Sequence, residues 1–160
     1  MEKAYSYDTL IGKILITEMN NEITGLSKLS DEQEFLDNNR KYEMIETEMI
    51  KEAAEQLNEY LLGYRKSFDL RINPQGTQFQ KKVWEALRAI PYGETRSYKQ
   101  IAQAVGNDKA SRAVGMANHN NPIMCIIPCH RVIGANGQLV GFGAGLSIKE
   151  QLLDLEKTNK

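Results

Sequence analysis

Cysteine is scarce in this chain: there are two, Cys125 and Cys129, four positions apart. So close a pair cannot staple a small secreted scaffold. No apolar run approaches the roughly 18 residues that a membrane-spanning helix needs, and the opening MEKAYSYDTL lacks the basic-then-apolar run of a secretory signal. The expected setting is therefore reducing and intracellular: the cytoplasm, or the nucleus of a eukaryote. Collagen-like periodicity is missing, and an apolar fraction of 41% is too high for a disordered polymer. No repeat or low-complexity segment interrupts the 160 residues, a length that suits one globular domain or two small ones. The possible metal ligands His119, Cys125, Cys129 and His130 match none of the usual paired zinc spacings, so no metal is expected.

The formal net charge of −1 conceals a division along the chain. Residues 1–75 hold 9 Lys and Arg against 15 Asp and Glu, whereas residues 76–160 hold 11 against 6. A basic half centred on Arg88, Arg96, Lys99, Lys109, Arg112 and Arg131 suits a polyanion such as nucleic acid. Solvated Lys and Arg are the plainer alternative.

The patterning changes at the same place. KAYSYD, GKILITEM and EITGLSKL read as short antiparallel strands, separated by turn pairs at Ile11-Gly12 and Asn20-Asn21. From Tyr42 to Leu62, apolar residues at helical spacing predict one amphipathic helix covering that sheet. SFDLRI, Ser67 to Ile72, reads as a further strand, and Asn73-Pro74 breaks the pattern. The expectation is an α+β protein: a small N-terminal antiparallel sheet with a covering helix over 1–73, then a mostly helical domain over 74–160. In that second part Thr77/Gln80, Ser97/Gln100 and Ser147/Glu150 are candidate capping boxes. Helices over 97–105 and 109–118, joined by Gly106-Asn107-Asp108, have helix-turn-helix spacing.

The second of those helices, KASRAVGMANHN, carries few long polar side chains, which fits close approach to a groove better than reading of base edges. Tight packing in a core is the competing reading. The chemistry concentrates in CIIPCHRVIGANG, where an apolar strand from Ile123 to Ile127 is expected to stop at Pro128 and present Cys129 at its end. A thiol attacks only as thiolate, and a nearby base can generate it. His130 is the adjacent candidate. Cys125 reads as a small buried hydrophobe, and Arg131 as an ion-pair partner rather than a contact to nucleic acid.

Taken together, GTxFQxxVWxALxxIPYGxxxSY, ASRAVGMANHNNP, IPCHRVIGxxGxLxGF and LLxLE, the last 27 residues after Cys129, resemble the O6-methylguanine-DNA methyltransferases, the methylated-DNA-protein-cysteine alkyltransferases. The match runs from about Gly76 to Glu156. The first 75 residues are assigned only because family members carry a strand-and-helix domain of similar length there.

The resemblance implies direct-reversal DNA repair. Cys129 would take the alkyl group from O6-methylguanine, and also from O4-methylthymine, in a single irreversible turnover. Glu156 and His130 would form a relay to Cys129 through water, and Asn121 would brace the turn that carries the nucleophile. Tyr98 would donate a proton towards the leaving guanine, with Val132, Phe142 and Gly143 completing the base pocket. The target nucleotide would be flipped out of double-stranded DNA from the minor-groove side, with Arg112 filling the gap and Ser111, Ala113, Gly115 and Ala117 lying against the groove. Phe142 stands where many members have Tyr, and Gly143-Ala144 depart from the commoner Ser-Gly or Gly-Gly, which bears on the range of alkyl groups. No cofactor, no membrane and no partner chain are implied, so a monomer suffices. The rival reading is a non-enzymatic protein that binds alkylated bases on the same fold; in such proteins the cysteine is replaced.

Overall fold

The computed structural model describes residues 1–139 and 144–160, the side chains at positions 32, 33, 35, 36 and 38 excepted. Among these residues the chain divides into two compact units, Met1–Pro74 and Gln75–Lys160.

The first unit is a four-stranded sheet in the order β3-β2-β1-β4. Strands β1 (Lys3–Thr9), β2 (Gly12–Met19) and β3 (Glu22–Lys28) form an antiparallel meander. Its second turn is built on Asn20 and Asn21 at φ 55° and 62°, the left-handed pair that a tight hairpin demands and that Asn tolerates. The sheet is mixed rather than wholly antiparallel, because the two-residue strand β4 (Glu43–Met44) pairs parallel to β1. Five consecutive residues of β2, Ile14 to Glu18, are buried, so both faces of the sheet are covered. Helix α2 (Glu48–Leu61) lies across one face with Ile50, Ala53, Leu57 and Tyr60. Ala4, Leu15 and Leu29 pack with Tyr42 and Met44 in a separate small cluster.

Two expectations for this unit are corrected. The covering helix begins at Glu48 rather than Tyr42, because Thr47 caps it by accepting from the Ile50 N–H at 3.1 Å, and Met44 belongs to β4. A polar helix that the sequence pattern does not predict, α1 (Glu32–Lys41), precedes that strand. Residues 67–72 do not form a strand. The Gln56 side-chain amide bonds both the N–H and the C=O of Asp69, at 2.9 and 3.1 Å, and takes the place of a neighbouring strand. The segment joins the sheet at a single parallel bridge, Ile72 opposite Ile23, in which the Arg71 carbonyl accepts from the Ile23 N–H and the Asn73 N–H donates to the Ile23 carbonyl, both at 2.8 Å.

The second unit is mostly helical: α3 (Gln78–Arg88), α4 (Tyr98–Ala104), α5 (Ser111–His119) and α6 (Leu146–Thr158). Both halves of the capping box are present at Thr77/Gln80 and again at Ser97/Gln100. The third expected box is absent. Helix α6 starts after Gly145 at φ 102°, which leaves Ser147 inside the first turn rather than at the cap. Helices α4 and α5 pack on each other and on α3. The Trp84 indole N–H of α3 donates to the Ala117 carbonyl of α5 at 2.8 Å. This is a helix-turn-helix pair pinned to a third helix.

Two short parallel strands, β5 (Arg96–Ser97) and β6 (Val132–Ile133), pair Arg96 with Val132 and Ser97 with Ile133. They bring the start of α4 beside the segment that carries Cys129. No helix among the described residues is long and apolar enough to cross a membrane.

Candidate active site

Residues 123–127 are a knot of turns and not the expected strand. Ile126 N–H bonds the Met124 carbonyl at 2.8 Å, and Ile127 N–H bonds the Ile123 carbonyl at 3.0 Å. Cys125 sits at φ +70° between them, a left-handed conformation that a cysteine adopts at a cost. Asn121 holds the knot from one side. Its amide donates to the Ile127 carbonyl at 2.8 Å and accepts from the Ile123 N–H at 3.0 Å.

Pro128 then leads into a single 3₁₀ turn, Cys129–Arg131, all of it buried. Cys129 is a free thiol, as is buried Cys125. Burial pushes the Cys129 thiol up to about 11, against the opposing effects of an Asn121 side-chain hydrogen bond and the nearby Lys149 ammonium. Burial raises Cys125 as well, further still. Neither sulfur is a thiolate at neutral pH, so an attack from Cys129 needs a base.

His130 is fully buried and its Nε2 lies 2.6 Å from Glu156 Oε2. Burial lowers its proton affinity, while the carboxylate beside it acts in the opposite sense. Glu156, also buried, is the most heavily bonded group of the site. Its Oε1 accepts from the Gly93 N–H at 3.0 Å and from Arg131 Nε at 2.8 Å, and its Oε2 also accepts from Arg131 Nη2 at 3.0 Å. Arg131 Nη1 donates to the Ile90 carbonyl at 2.7 Å, and the guanidinium lies 5.6 Å from the Tyr92 ring centroid. Arg131 is thus an ion-pair partner, as its place in the sequence suggested.

Sequence reasoning missed Lys149. It is completely buried, and its Nζ donates to the Val132 carbonyl at 2.5 Å. Burial lowers it to about 8, with the neighbouring Cys129 opposing. The available signal was its position on α6: Lys149, Leu152 and Glu156 share the buried face of that helix, so a lysine stands where the periodicity asks for an apolar residue.

Tyr98 opens α4 beside this cluster. Its hydroxyl proton is held more tightly than usual, first through burial and then through proximity to Cys129. A Cβ added to Gly115 of α5 would lie 3.8 Å from the Tyr98 ring, an ordinary contact distance, so the approach of α5 to Tyr98 does not depend on glycine. Arg112 and Ala113 are exposed on α5, and Ser111 is half-buried at its first turn. Ala117 departs from expectation: it is buried against α3, with its carbonyl taken by Trp84. The outward side of the helix is formed by Arg112, Ala113, Met116 and His119, spaced three and four apart. Val132 is buried beside Cys129, whereas Phe142 and Gly143 lie outside the described residues. No group of three or more His, Cys, Asp or Glu among the described residues could hold a metal ion.

The geometry therefore gathers Cys129, His130, Glu156, Asn121 and Tyr98 around one turn and leaves Arg112 on a separate, outward helix face. A buried thiol beside a buried imidazole–carboxylate pair suits one kind of chemistry: deprotonation of the thiol and its use as a nucleophile.

Comparison with known proteins gives the same picture at the level of the whole chain. A family model described as 6-O-methylguanine DNA methyltransferase, DNA binding domain, matches residues 78–158, and one described as the ribonuclease-like domain of the same methyltransferase matches residues 3–74. A methylated-DNA--protein-cysteine methyltransferase of Methanosarcina acetivorans is 62% identical over 109 residues, 68% of this chain and 70% of that one. One from Mycobacterium leprae is 45% identical over 152 residues, 95% of this chain and 90% of its own. The crystal structure of Mycobacterium tuberculosis OGT in complex with DNA superposes with a TM-score of 0.89 at 41% identity, covering 98% of this chain and 94% of that one.

Proposed function

The chain belongs to the 6-O-methylguanine DNA methyltransferase family, and from that premise we propose that it frees O6-alkylated guanine in duplex DNA by moving the alkyl group onto Cys129. The general activity, repair of methylated DNA by transfer to a protein cysteine, is that of its relatives. The finer steps are our reading. The observation that carries it is that the free, buried thiol of Cys129 immediately precedes, in one 3₁₀ turn, the His130 that pairs with buried Glu156.

The thiol proton passes to His130 through a water, Glu156 fixes the imidazole and balances its charge, and the thiolate attacks the alkyl carbon. The S–C bond forms as the C–O6 bond breaks, and the electron pair goes to the guanine. Tyr98 eases its departure by donating a proton to the base, general-acid help of roughly 10²-fold or more. The thioether is stable and Cys129 is spent, so one chain repairs one lesion. O4-methylthymine presents the same alkyl ether and is a further substrate.

The base must leave the helix to reach a buried thiol, at a cost of a few kcal/mol in lost stacking and pairing. Arg112 fills the gap from the minor-groove side, with Ser111, Ala113 and Gly115 allowing close approach. The 74–160 region carries both DNA binding and transfer, and a monomer suffices. The first test is intact mass after mixing with a duplex that holds one O6-methylguanine. The expected result is a single gain of about 14 Da, the mass of a CH₂ unit, confined to the peptide of Cys129 and lost in Cys129→Ala but not in Cys125→Ala. Tight lesion binding with no gain in mass would instead make the chain a non-enzymatic binder of alkylated bases.

A further inference from the structure

A buried carboxylate facing a buried imidazole has two ways to settle its charge. It can draw a proton onto the imidazole to make an ion pair, or it can be neutralised by some other cation and leave the imidazole neutral. Only the second leaves a base. Glu156 meets a second cation: Arg131 bonds both of its oxygens, at 2.8 and 3.0 Å, in the forked geometry that guanidinium offers a carboxylate. The remaining face of that fork is anchored to Ile90 at 2.7 Å and backed by the Tyr92 ring. A carboxylate only accepts, so the 2.6 Å contact places the imidazole proton on Nε2 and leaves Nδ1 as the basic nitrogen.

We propose that Arg131 is a positioning residue for the transfer reaction: its fork on Glu156 holds His130 as the neutral Nε2–H imidazole that can accept the thiol proton. The inference rests on the relay described under the proposed function and adds to it the partner that sets the charge state of the base. The titratable and charged groups around His130 come from every neighbouring element. Lys149 and Glu156 project from α6, Cys129 and Arg131 from the 3₁₀ turn, Cys125 from the turns before it, Tyr92 from the loop after α3, and Tyr98 from α4. Arg131 is bonded to both oxygens of Glu156.

The test is the ¹⁵N spectrum of His130, recorded from pH 6 to 9 beside the rate at which Cys129 is alkylated by lesion DNA and by iodoacetamide. In the unmodified protein the neutral Nε2–H pattern is expected at pH 7. In Arg131→Met, His130 becomes imidazolium at pH 7, and both rates fall at least tenfold there while approaching the unmodified values by pH 9, since each unit rise in the imidazole pKa reduces its neutral fraction about tenfold. Arg131→Lys, which keeps the charge, restores the neutral pattern and most of the rate at pH 7. An imidazolium in the unmodified protein at pH 7 overturns the proposal, and so does an Arg131→Met variant slowed by one factor at every pH with His130 still neutral. Should Arg131→Met not fold, the spectra of the unmodified and Arg131→Lys proteins decide in the same way. Absence of any alkyl gain from lesion DNA would sink the proposed function, yet the His130 spectrum and the iodoacetamide rate would still judge Arg131.

Discussion

Cys129 keeps its proton because it is buried, and that has a consequence for stability as well as for reactivity. The unfolded thiol ionises near 9 and the folded one near 11. Between those values the folded state binds the extra proton, so stability falls as pH rises through that window. Two units correspond to roughly 3 kcal/mol at most. Denaturant unfolding at pH 8, 10 and 11 should show a stability difference between the unmodified protein and Cys129→Ala that shrinks with pH; a constant difference would mean that the thiol is not shielded. At this scale the sequence was partly legible. Cys129, His130 and Arg131 declare themselves by adjacency, and Arg131 was legible as an ion-pair partner. Lys149 was not, because pattern reading assigns lysine to the surface and only packing shows that this ammonium ends on the Val132 carbonyl.

Secondary-structure elements differ in how far away their cause lies. The caps of α3 and α4 are settled within three residues, by Thr77 with Gln80 and by Ser97 with Gln100, and both were legible. Ser147 with Glu150 has the same spacing but not the role, because Gly145 at φ 102° starts α6 earlier. The two expected strands that do not form have remote or unusual causes. Segment 67–72 is held by a side chain, Gln56, and 123–127 curls because Asn121 and its own turns take up the hydrogen-bonding groups a strand would offer. The caps make a paired prediction. Thr77→Ala and Ser97→Ala should each cost about 1 kcal/mol, seen as a lower denaturation midpoint. Only Ser97→Ala should also slow alkyl transfer, by several-fold, since the next residue is Tyr98. Equal slowing by both would assign the effect to general loosening.

For the whole molecule, the acidic first half and basic second half are legible from counting alone, and patterning and charge change together near Pro74. Charge also predicts how DNA is held. If the basic half neutralises phosphates, log Kd measured on duplex should rise linearly with log salt. Arg112→Ala should reduce that slope by about one phosphate contact at most. It should slow repair of duplex more than attack on free O6-methylguanine if, as proposed, its part lies in extruding the base. Identical slowing on both substrates would remove Arg112 from that step, and a flat salt response would move recognition away from phosphates altogether.

Glu156 closes contacts to residues 25, 26 and 63 positions earlier, while the helical caps close over three. In the language of folding kinetics, the helices are low-order contacts and the reactive centre is a high-order one, gathered only when α6 docks. Undocking of that single helix would leave the capped helices standing and yet disperse the base, its carboxylate and its counter-charge at one stroke. Competence for chemistry should therefore be lost with the opening of α6, before the protein as a whole melts, and hydrogen exchange along that helix measures the opening.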